Sequence, residues 1–207
     1  HNCHLIPQEG EGMYRTFLAR AKAVNPKIRM IGMTATPFRM KSGPICSEDS
    51  IFQEICYEVG IRTLINQGYL CKLTAFSGAG APDTSDLHIR AGEFIPSEVE
   101  GLMNQEKLVA TAVADMVERT KDRKAVLVFA SSIAHAEHVA AKLAEAGEVV
   151  RTVFGGTSCE DRARAVADFK AGRLKFLVNV GVFTTGFDAP NVDCVALLRP
   201  TMSPGLF

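Results

Sequence analysis

The sequence predicts an α/β protein in which helices cover both faces of a parallel β-sheet. From residue 104 onwards, short apolar runs alternate with segments of about 10 to 15 residues that have helical spacing. The apolar runs are almost uninterrupted, which is typical of strands buried on both faces. The helical segments stop at Gly147 and Gly172, and glycine commonly follows the last turn of a helix.

The composition fits a globular chain without a strong overall charge. Hydrophobic residues make up 47% of the 207 residues, enough to form a core. The 23 basic residues balance the 23 acidic ones, so contact with nucleic acid must come from a local patch. No signal peptide precedes the first predicted helix and no stretch of about 18 apolar residues occurs, so a cytoplasmic location without membrane contact is expected.

The cysteine pattern favours free thiols. The six cysteines are scattered, without the paired spacing that zinc sites usually show. His1, Cys3 and His4 lie together at the start of the chain, but this cluster alone is a weak signal for a metal. No metal site is predicted, and zinc or disulfides are the less favoured alternatives.

The part of the chain before residue 104 contains fewer regular elements. Apolar residues at helical spacing predict a helix over 12–24, which Asn25-Pro26 ends. The apolar run 28–33 predicts a short buried strand that leads into the turn Thr34-Ala35-Thr36-Pro37. The other predictions are strands near 56–59 and 73–76, a short helix ended by Gly68, and loops over 38–50 and 78–98.

The remaining part carries the predicted sheet. Right-handed crossovers between parallel strands bring every carboxyl-terminal loop to one edge of the sheet. Ligands of such sheets usually bind at that edge. The predicted helices cover 104–121, 133–146 and 159–171, and the predicted strands cover 125–129, 149–154, 175–178 and 194–198.

Small hydroxylated residues follow three successive strands of this sheet. Ser131-Ser132 follow the first strand, Gly155-Gly156-Thr157-Ser158 the second, and Thr184 lies after the third. Hydroxyls and free N–H groups at helix N-termini suit phosphate. Each serine taken singly is better explained as a helix N-cap. Three such loops on one edge make phosphate binding an equally good interpretation, and the two roles are compatible.

The loop after the third strand also contains Gly186 and Asp188, each with two interpretations. Asp188 either forms the turn before Ala189-Pro190 or accepts a hydrogen bond from a ribose hydroxyl. Gly186 either supplies a positive φ angle or lets a ligand approach the backbone closely.

Several segments resemble motifs of the superfamily 2 helicases, the DEAD/DEAH-box group. The peptide Thr34-Ala35-Thr36-Pro37 resembles motif III, VLVFASS resembles motif IV, and NVGVFTTGFDAPNVD resembles motif V. YEVGIRTLINQGYL is similar to the bridge between the two RecA-like domains in the DNA-directed branch. GFDAPNVDCVALLRPT is similar to RadD-like helicases, which are associated with DNA repair. The resemblance covers nearly the whole chain and is weakest at 78–100.

The resemblance implies a fragment of a two-domain motor with RecA-like sheets. Residues 1–40 would end the first RecA-like domain, 41–100 would be a bridge and linker, and 101–207 would be a second RecA-like domain cut before motif VI. Complete members bind ATP and Mg²⁺ between the two domains and move along nucleic acid as the cleft closes and reopens. The sequence has no Gly-x-x-x-x-Gly-Lys-Ser/Thr segment, so this chain alone is expected not to hydrolyse ATP.

The resemblance also implies roles for individual residues. Gly186 and Asp188 would face ATP, with Asp188 beside the ribose or the arginine finger. Thr34 and Thr36 would couple the ATP site to the nucleic acid, an interpretation favoured over a plain strand-end turn. Contacts with backbone phosphates, which give little sequence preference, would come from Ser131, Ser132, Thr157 and Thr184.

The histidine of the DEAH box has two candidates. His4 lies at the expected distance from the following helix, whereas His1 matches the literal end of the box. If HNCH fills the box, its Asp and Glu are missing, which would support the alternative of a catalytically inactive RecA-like module that binds nucleic acid or protein. A Rossmann-type enzyme is excluded, because no Gly-x-Gly-x-x-Gly follows a predicted strand.

Two departures in motif V favour DNA over RNA as the partner. Thr185 stands where RNA-directed DEAD-box proteins often have Arg, and Asn179 stands where the motif often begins with Thr. The expected partner is DNA, single-stranded or at a duplex junction. The oligomeric state is open, with a monomer as the expectation.

Overall fold

The computed structural model describes residues 3–7, 10, 12–39, 43–78, 80, 82–90, 92–184 and 186–202. The chain forms two compact units, residues 1–75 and 76–207. None of the helices in these described ranges is long and apolar enough to cross a membrane.

The first unit contains little regular structure. The helices predicted over 12–24 and before Gly68 are confirmed, and the loop predicted over 38–50 contains a short antiparallel hairpin. The elements of this unit are a 3-10 helix at Cys3–Leu5, helices α1 (Met13–Val24) and α2 (Ile61–Asn66), and strands β1 (Phe38–Arg39) and β2 (Gly43–Pro44).

Three strands predicted from apolar runs were wrong. Residues 28–33, 56–59 and 73–76 form no strand. The Cys3 N–H donates to the Met33 carbonyl at 3.1 Å, but no described segment pairs along 28–33. An apolar run becomes a strand only beside a partner that satisfies its backbone groups.

The second unit is an α/β domain with one main sheet. The predicted helices and strands beyond residue 104 are confirmed to within two residues at each end. The elements are β3 (Ile89–Arg90), β4 (Glu93–Phe94), α3 (Pro96–Met103), α4 (Glu106–Arg119), β5 (Val126–Ala130), α5 (Ile133–Glu145), β6 (Val150–Val153), α6 (Cys159–Lys170), β7 (Phe176–Asn179) and β8 (Cys194–Leu198).

The main sheet confirms the predicted fold class. Its four strands are all parallel, in the order β6-β7-β5-β8. Val128 of β5 pairs with Val178 of β7 and with Ala196 of β8. Val126 and Val128 belong to the core cluster that includes α4 and α5, whereas Leu127 belongs to the cluster that includes α6. Helices therefore cover both faces.

The segment 78–98, predicted as a loop, contains the antiparallel hairpin of β3 and β4 and the start of α3. Pro96 lies in the first turn of α3, where its missing N–H costs nothing. Only Val99 and Met103 of this helix are buried, so its sequence carries little apolar periodicity. The Pro and Ser residues that indicated a loop begin a helix instead.

The Asp193 carboxylate connects the amino ends of the neighbouring strands β5 and β8. Asp193 accepts hydrogen bonds from the N–H groups of Lys124 and Ala125, at 2.8 and 3.1 Å. This contact fixes β8 beside β5 at the edge opposite to the candidate site. No sequence pattern indicates this contact, because the partners are 68 and 69 residues apart in the chain.

Candidate functional site

The loops after β5, β6 and β7 share the carboxyl edge of the parallel sheet. This is where ligands of such sheets bind. The sequence-predicted residues Ser131, Ser132, Thr157, Thr184 and Asp188 all lie in these loops.

The first of these loops is organised by a buried histidine. Ser132 is the N-cap of α5, and its Oγ accepts a hydrogen bond from the His135 N–H at 3.1 Å. The Ser131 N–H donates to His135 Nδ1 at 3.3 Å, and Ser131 Oγ lies 2.8 Å from the same atom. Since an N–H can only donate, Nδ1 is the acceptor, and the Ser131 hydroxyl donates to it as well.

Burial keeps this histidine neutral. His135 is almost completely buried, and the loss of solvation lowers the pKa of its imidazole to about 4. The nearby His138 lowers the pKa further, whereas Glu100 opposes the shift. His135 was not singled out from the sequence, because a lone histidine in an apolar helix carries no periodic signal.

The second loop is a closed turn. Thr157 Oγ1 accepts from the Phe154 N–H at 2.9 Å, and the Thr157 N–H donates to the Phe154 carbonyl at 3.2 Å. Arg162 of α6 donates to the carbonyls of Phe154 and Gly155, at 3.1 and 3.4 Å. Ser158 caps α6 by accepting from the Asp161 N–H. These hydrogen bonds close the turn, and the Thr157 hydroxyl hydrogen has no acceptor within the described ranges.

The third loop is anchored by two aromatic rings. Phe183 and Phe187 lie with ring centroids 4.3 Å apart and pack on the core cluster that includes α6. Thr184, Gly186 and Asp188 are exposed. Gly186 has a φ angle of +73°, and nothing lies within 4 Å of a Cβ added there, so the backbone conformation and not crowding requires glycine.

Among the residues that the structure describes, none donates a hydrogen bond to the carboxylate of Asp188. The carboxylate of Asp193, in contrast, accepts two. A turn-forming aspartate would accept from a backbone N–H nearby. The side chain is therefore available to a ligand.

Asn179, at the start of the predicted motif V, is buried completely. Its Nδ2 donates to the Val128 carbonyl at 2.9 Å, which joins β7 to β5. Its Oδ1 is buried and has no partner among the described residues. In this conformation the side chain serves the sheet edge and does not face solvent.

The first unit brings together three of its predicted site residues. His4 Nδ1 lies 2.6 Å from Thr34 Oγ1 and 3.3 Å from Thr36 Oγ1. The Thr36 N–H donates to Thr34 Oγ1 at 3.1 Å. The Arg39 guanidinium donates to the His4 carbonyl, which fixes the histidine backbone. The alternative candidate, His1, lies outside the described residues.

A further polar contact holds the segment after β8. Glu93 of β4 accepts from the Thr201 hydroxyl at 2.6 Å and from the Met202 N–H at 2.9 Å. Burial raises the pKa of Glu93, but the hydrogen bonds from Thr201, Met202 and Phe94 outweigh it and lower the pKa below its usual value. Glu93 and Thr201 are 108 residues apart in the chain, so no sequence pattern could predict their contact.

The metal-ligand residue types do not cluster. Within the described ranges, no three His, Cys, Asp or Glu side chains are grouped so as to hold a metal ion. The six cysteines are free thiols, and Cys3 is the buried one.

The parallel sheet, with helices on both faces and its loops at one edge, has the α/β fold class predicted for a RecA-like domain. Residues 107–207 match the family model described as the helicase conserved C-terminal domain. This segment is therefore similar to helicase C-terminal domains, in agreement with the predicted resemblance to superfamily 2 helicases.

Several curated proteins are similar to the chain. A Saccharomyces cerevisiae protein named as the ATP-dependent helicase IRC3 is 29% identical over 197 residues, which cover 93% of this chain and 28% of that protein. The 51.5 kDa protein of Lactococcus phage (isolate 7-9) is 30% identical over 86% of this chain and 38% of its own length. UvrABC system protein B of Chlamydia trachomatis serovar D is 32% identical over 38% of this chain and 12% of its own length. The chain thus spans well under half of these relatives.

Proposed function

We propose that the chain is part of an ATP-dependent DNA helicase or translocase and that its second unit contributes to the second motor domain. The observation that carries the proposal is the loop anchored by Phe183 and Phe187. This loop leaves Thr184, Gly186 and Asp188 exposed at the ligand-binding edge of a domain similar to helicase C-terminal domains. In this proposal residues 1–40 end the first motor domain, 41–100 form the bridge, and 101–207 form the second motor domain.

The loop is suited to binding the ribose of ATP. Asp188 offers carboxylate oxygens that can accept from ribose hydroxyls, as carboxylates do at this kind of sheet edge. Gly186 leaves its side of the backbone open. When bound, Mg²⁺ neutralises charge on the phosphates. The sequence has no P-loop, so the isolated 207-residue chain is expected not to hydrolyse ATP.

The neighbouring loops suit a nucleic-acid backbone. Ser132 and Thr157 each accept an N–H of their own loop, so each hydroxyl hydrogen can be donated to a phosphate oxygen. Thr184 is exposed in the loop after β7. Ser131 lies in the same turn as Ser132. Contacts of this kind position a strand without reading its sequence.

In the first unit, the contact of His4 with Thr34 and Thr36 supports two assignments. We infer that His4 is the box histidine and that the two threonines couple the state of the ATP site to the nucleic acid. Because His4 and Thr34 share a hydrogen bond, a movement of one side chain directly affects the position of the other.

The departures at Asn179 and Thr185 support DNA, single-stranded or at a duplex junction, as the partner. A place in the RadD-like branch associated with DNA repair, a monomeric state and a cytoplasmic location belong to the same proposal.

ATP hydrolysis by the full-length protein tests this function. We expect turnover that single-stranded DNA stimulates more than single-stranded RNA of the same sequence, and no turnover by the 207-residue chain. Nucleic-acid binding without any turnover would support the inactive binding module instead. Equal stimulation by RNA would refute the DNA assignment alone.

A further inference from the structure

We propose that His135 is a positioning residue for the nucleic-acid-facing turn after β5, because its buried imidazole fixes the hydroxyl and the backbone N–H of Ser131. The proposal rests on the function proposed above and extends it to a residue that does not itself reach the surface. It concerns binding of the nucleic-acid strand and leaves the ATP site unaffected.

The geometry that supports this inference is a pair of contacts to one atom. Ser131 Oγ lies 2.8 Å from His135 Nδ1, and the Ser131 N–H donates to the same nitrogen at 3.3 Å. The His135 N–H in turn donates to Ser132 Oγ at 3.1 Å. One residue of α5 therefore holds both serines of the turn, through its ring and through its backbone.

These contacts determine which groups the turn can offer a ligand. The Ser131 hydroxyl has one hydrogen, and it points inward to Nδ1, so its outward side only accepts. The Ser132 oxygen accepts from the helix, so its hydrogen remains free to donate. A phosphate oxygen accepts but cannot donate. Within this turn, the direct hydroxyl contact to phosphate therefore belongs to Ser132, and Ser131 serves as the fixed link to His135.

A cationic role for His135 is disfavoured by its surroundings. The ring is almost completely buried, and the titratable groups that influence its pKa are His138 on the same helix and Glu100 on α3. Burial holds the pKa of the imidazole at about 4, so the ring stays neutral at physiological pH. His135 thus acts through hydrogen-bond acceptance and not through charge.

The test compares the affinity for single-stranded DNA of full-length variants by fluorescence anisotropy. His135→Leu removes the acceptor, whereas His135→Asn keeps an acceptor oxygen at the place of Nδ1. Ser131→Ala removes the partner without creating a cavity at the buried site. Glu137→Ala, an exposed change on the same helix, is the matched control. All measurements are made well below the melting temperature of each variant.

We expect His135→Leu and Ser131→Ala each to weaken binding about fivefold, as the loss of one hydrogen bond does, and the double variant to weaken it no further. His135→Asn should stay within about twofold of the unaltered protein, and the affinity should not change between pH 6 and pH 8. Nitrogen-15 NMR should show the His135 ring neutral with its proton on Nε2.

Three results would overturn the inference. If the unaltered protein binds DNA and both single variants bind equally well, His135 serves stability alone, and the proposed function stands. If affinity rises as the pH falls through about 6.5, the imidazole acts as a cation. If the unaltered protein binds no nucleic acid, the inference and the proposed function fail together.

Discussion

The rings of Phe183 and Phe187 lie with their centroids 4.3 Å apart at an interplanar angle of 34°, and Thr184 and Gly186, which lie between them in the chain, are exposed. Both rings pack on the core cluster that includes Phe169 of α6. The pair therefore anchors the chain directly before Thr184 and directly after Gly186. The exposed Thr184 and Gly186 are therefore flanked by residues that are fixed in the core.

Phe187→Ala should destabilise the second unit by about 2–3 kcal/mol, somewhat less than the loss of a fully buried phenylalanine. The change removes the ring contact with Phe183 and part of the packing on α6. Urea unfolding measures the effect. Phe17→Ala, at a position 66% exposed in α1, should change stability by less than about 0.5 kcal/mol. Equal effects of the two substitutions on the unfolding free energy would contradict the statement that Phe187 anchors the loop.

Gly186→Ala should cost about 1–2 kcal/mol, because an alanine at a φ angle of +73° adopts the left-handed region. No steric clash contributes, since the added Cβ meets nothing within 4 Å. The matched control is Gly101→Ala in α3, where the added Cβ also meets nothing and φ is not positive. That change should stabilise by about 0.5–1 kcal/mol. Chemical denaturation that gives both changes the same sign would contradict this account.

The buried His135 should make stability fall in mildly acidic solution. Its pKa is about 4 in the folded protein and about 6.5 when unfolded, so the unfolded state binds the extra proton in this interval. The contribution is fully present above pH 6.5 and is lost as the pH falls towards 4, with a total on the order of 3 kcal/mol. Unfolding free energies at pH 7.5 and pH 5 measure the loss. In His135→Asn the loss should be smaller, and an unchanged pH dependence would show that the imidazole does not cause it.

Glu93→Gln should loosen the segment after β8. The glutamine keeps one acceptor oxygen but cannot accept from both the Thr201 hydroxyl and the Met202 N–H as a carboxylate does. We expect the Met202 amide to exchange its hydrogen about tenfold faster, as measured by hydrogen exchange. Glu118→Gln, which removes only a surface ion pair with Lys121, is the control and should leave this amide unchanged.

The sheet could be predicted from the sequence because its signals are local. β5 (VLVFA) and β7 (FLVN) are largely apolar runs, and Gly147 and Gly172 mark helix ends. The run 28–33 is also largely apolar but pairs with no segment that the structure describes, so composition alone predicted a strand that does not form. Whether an apolar run is paired depends on distant residues.

The candidate site also contains residues that the sequence could predict and residues that only the folded structure reveals. Thr157, Thr184, Gly186 and Asp188 could be found because loops after parallel strands share one edge. His135 and Glu93 could not, because each acts through a contact that only the folded chain creates. Asn179 could be found as a motif residue, but its burial and its bond to β5 needed the structure.

The measurement that tests the central claim most directly is DNA-stimulated ATP hydrolysis by full-length Asp188→Ala. Asp122→Ala, an exposed aspartate between α4 and β5, is the matched control. The account predicts that Asp188→Ala lowers kcat/KM for ATP at least tenfold, with DNA affinity retained, while Asp122→Ala behaves like the unaltered protein. Hydrolysis that is unaffected by Asp188→Ala would contradict the assignment of this loop to the ATP site.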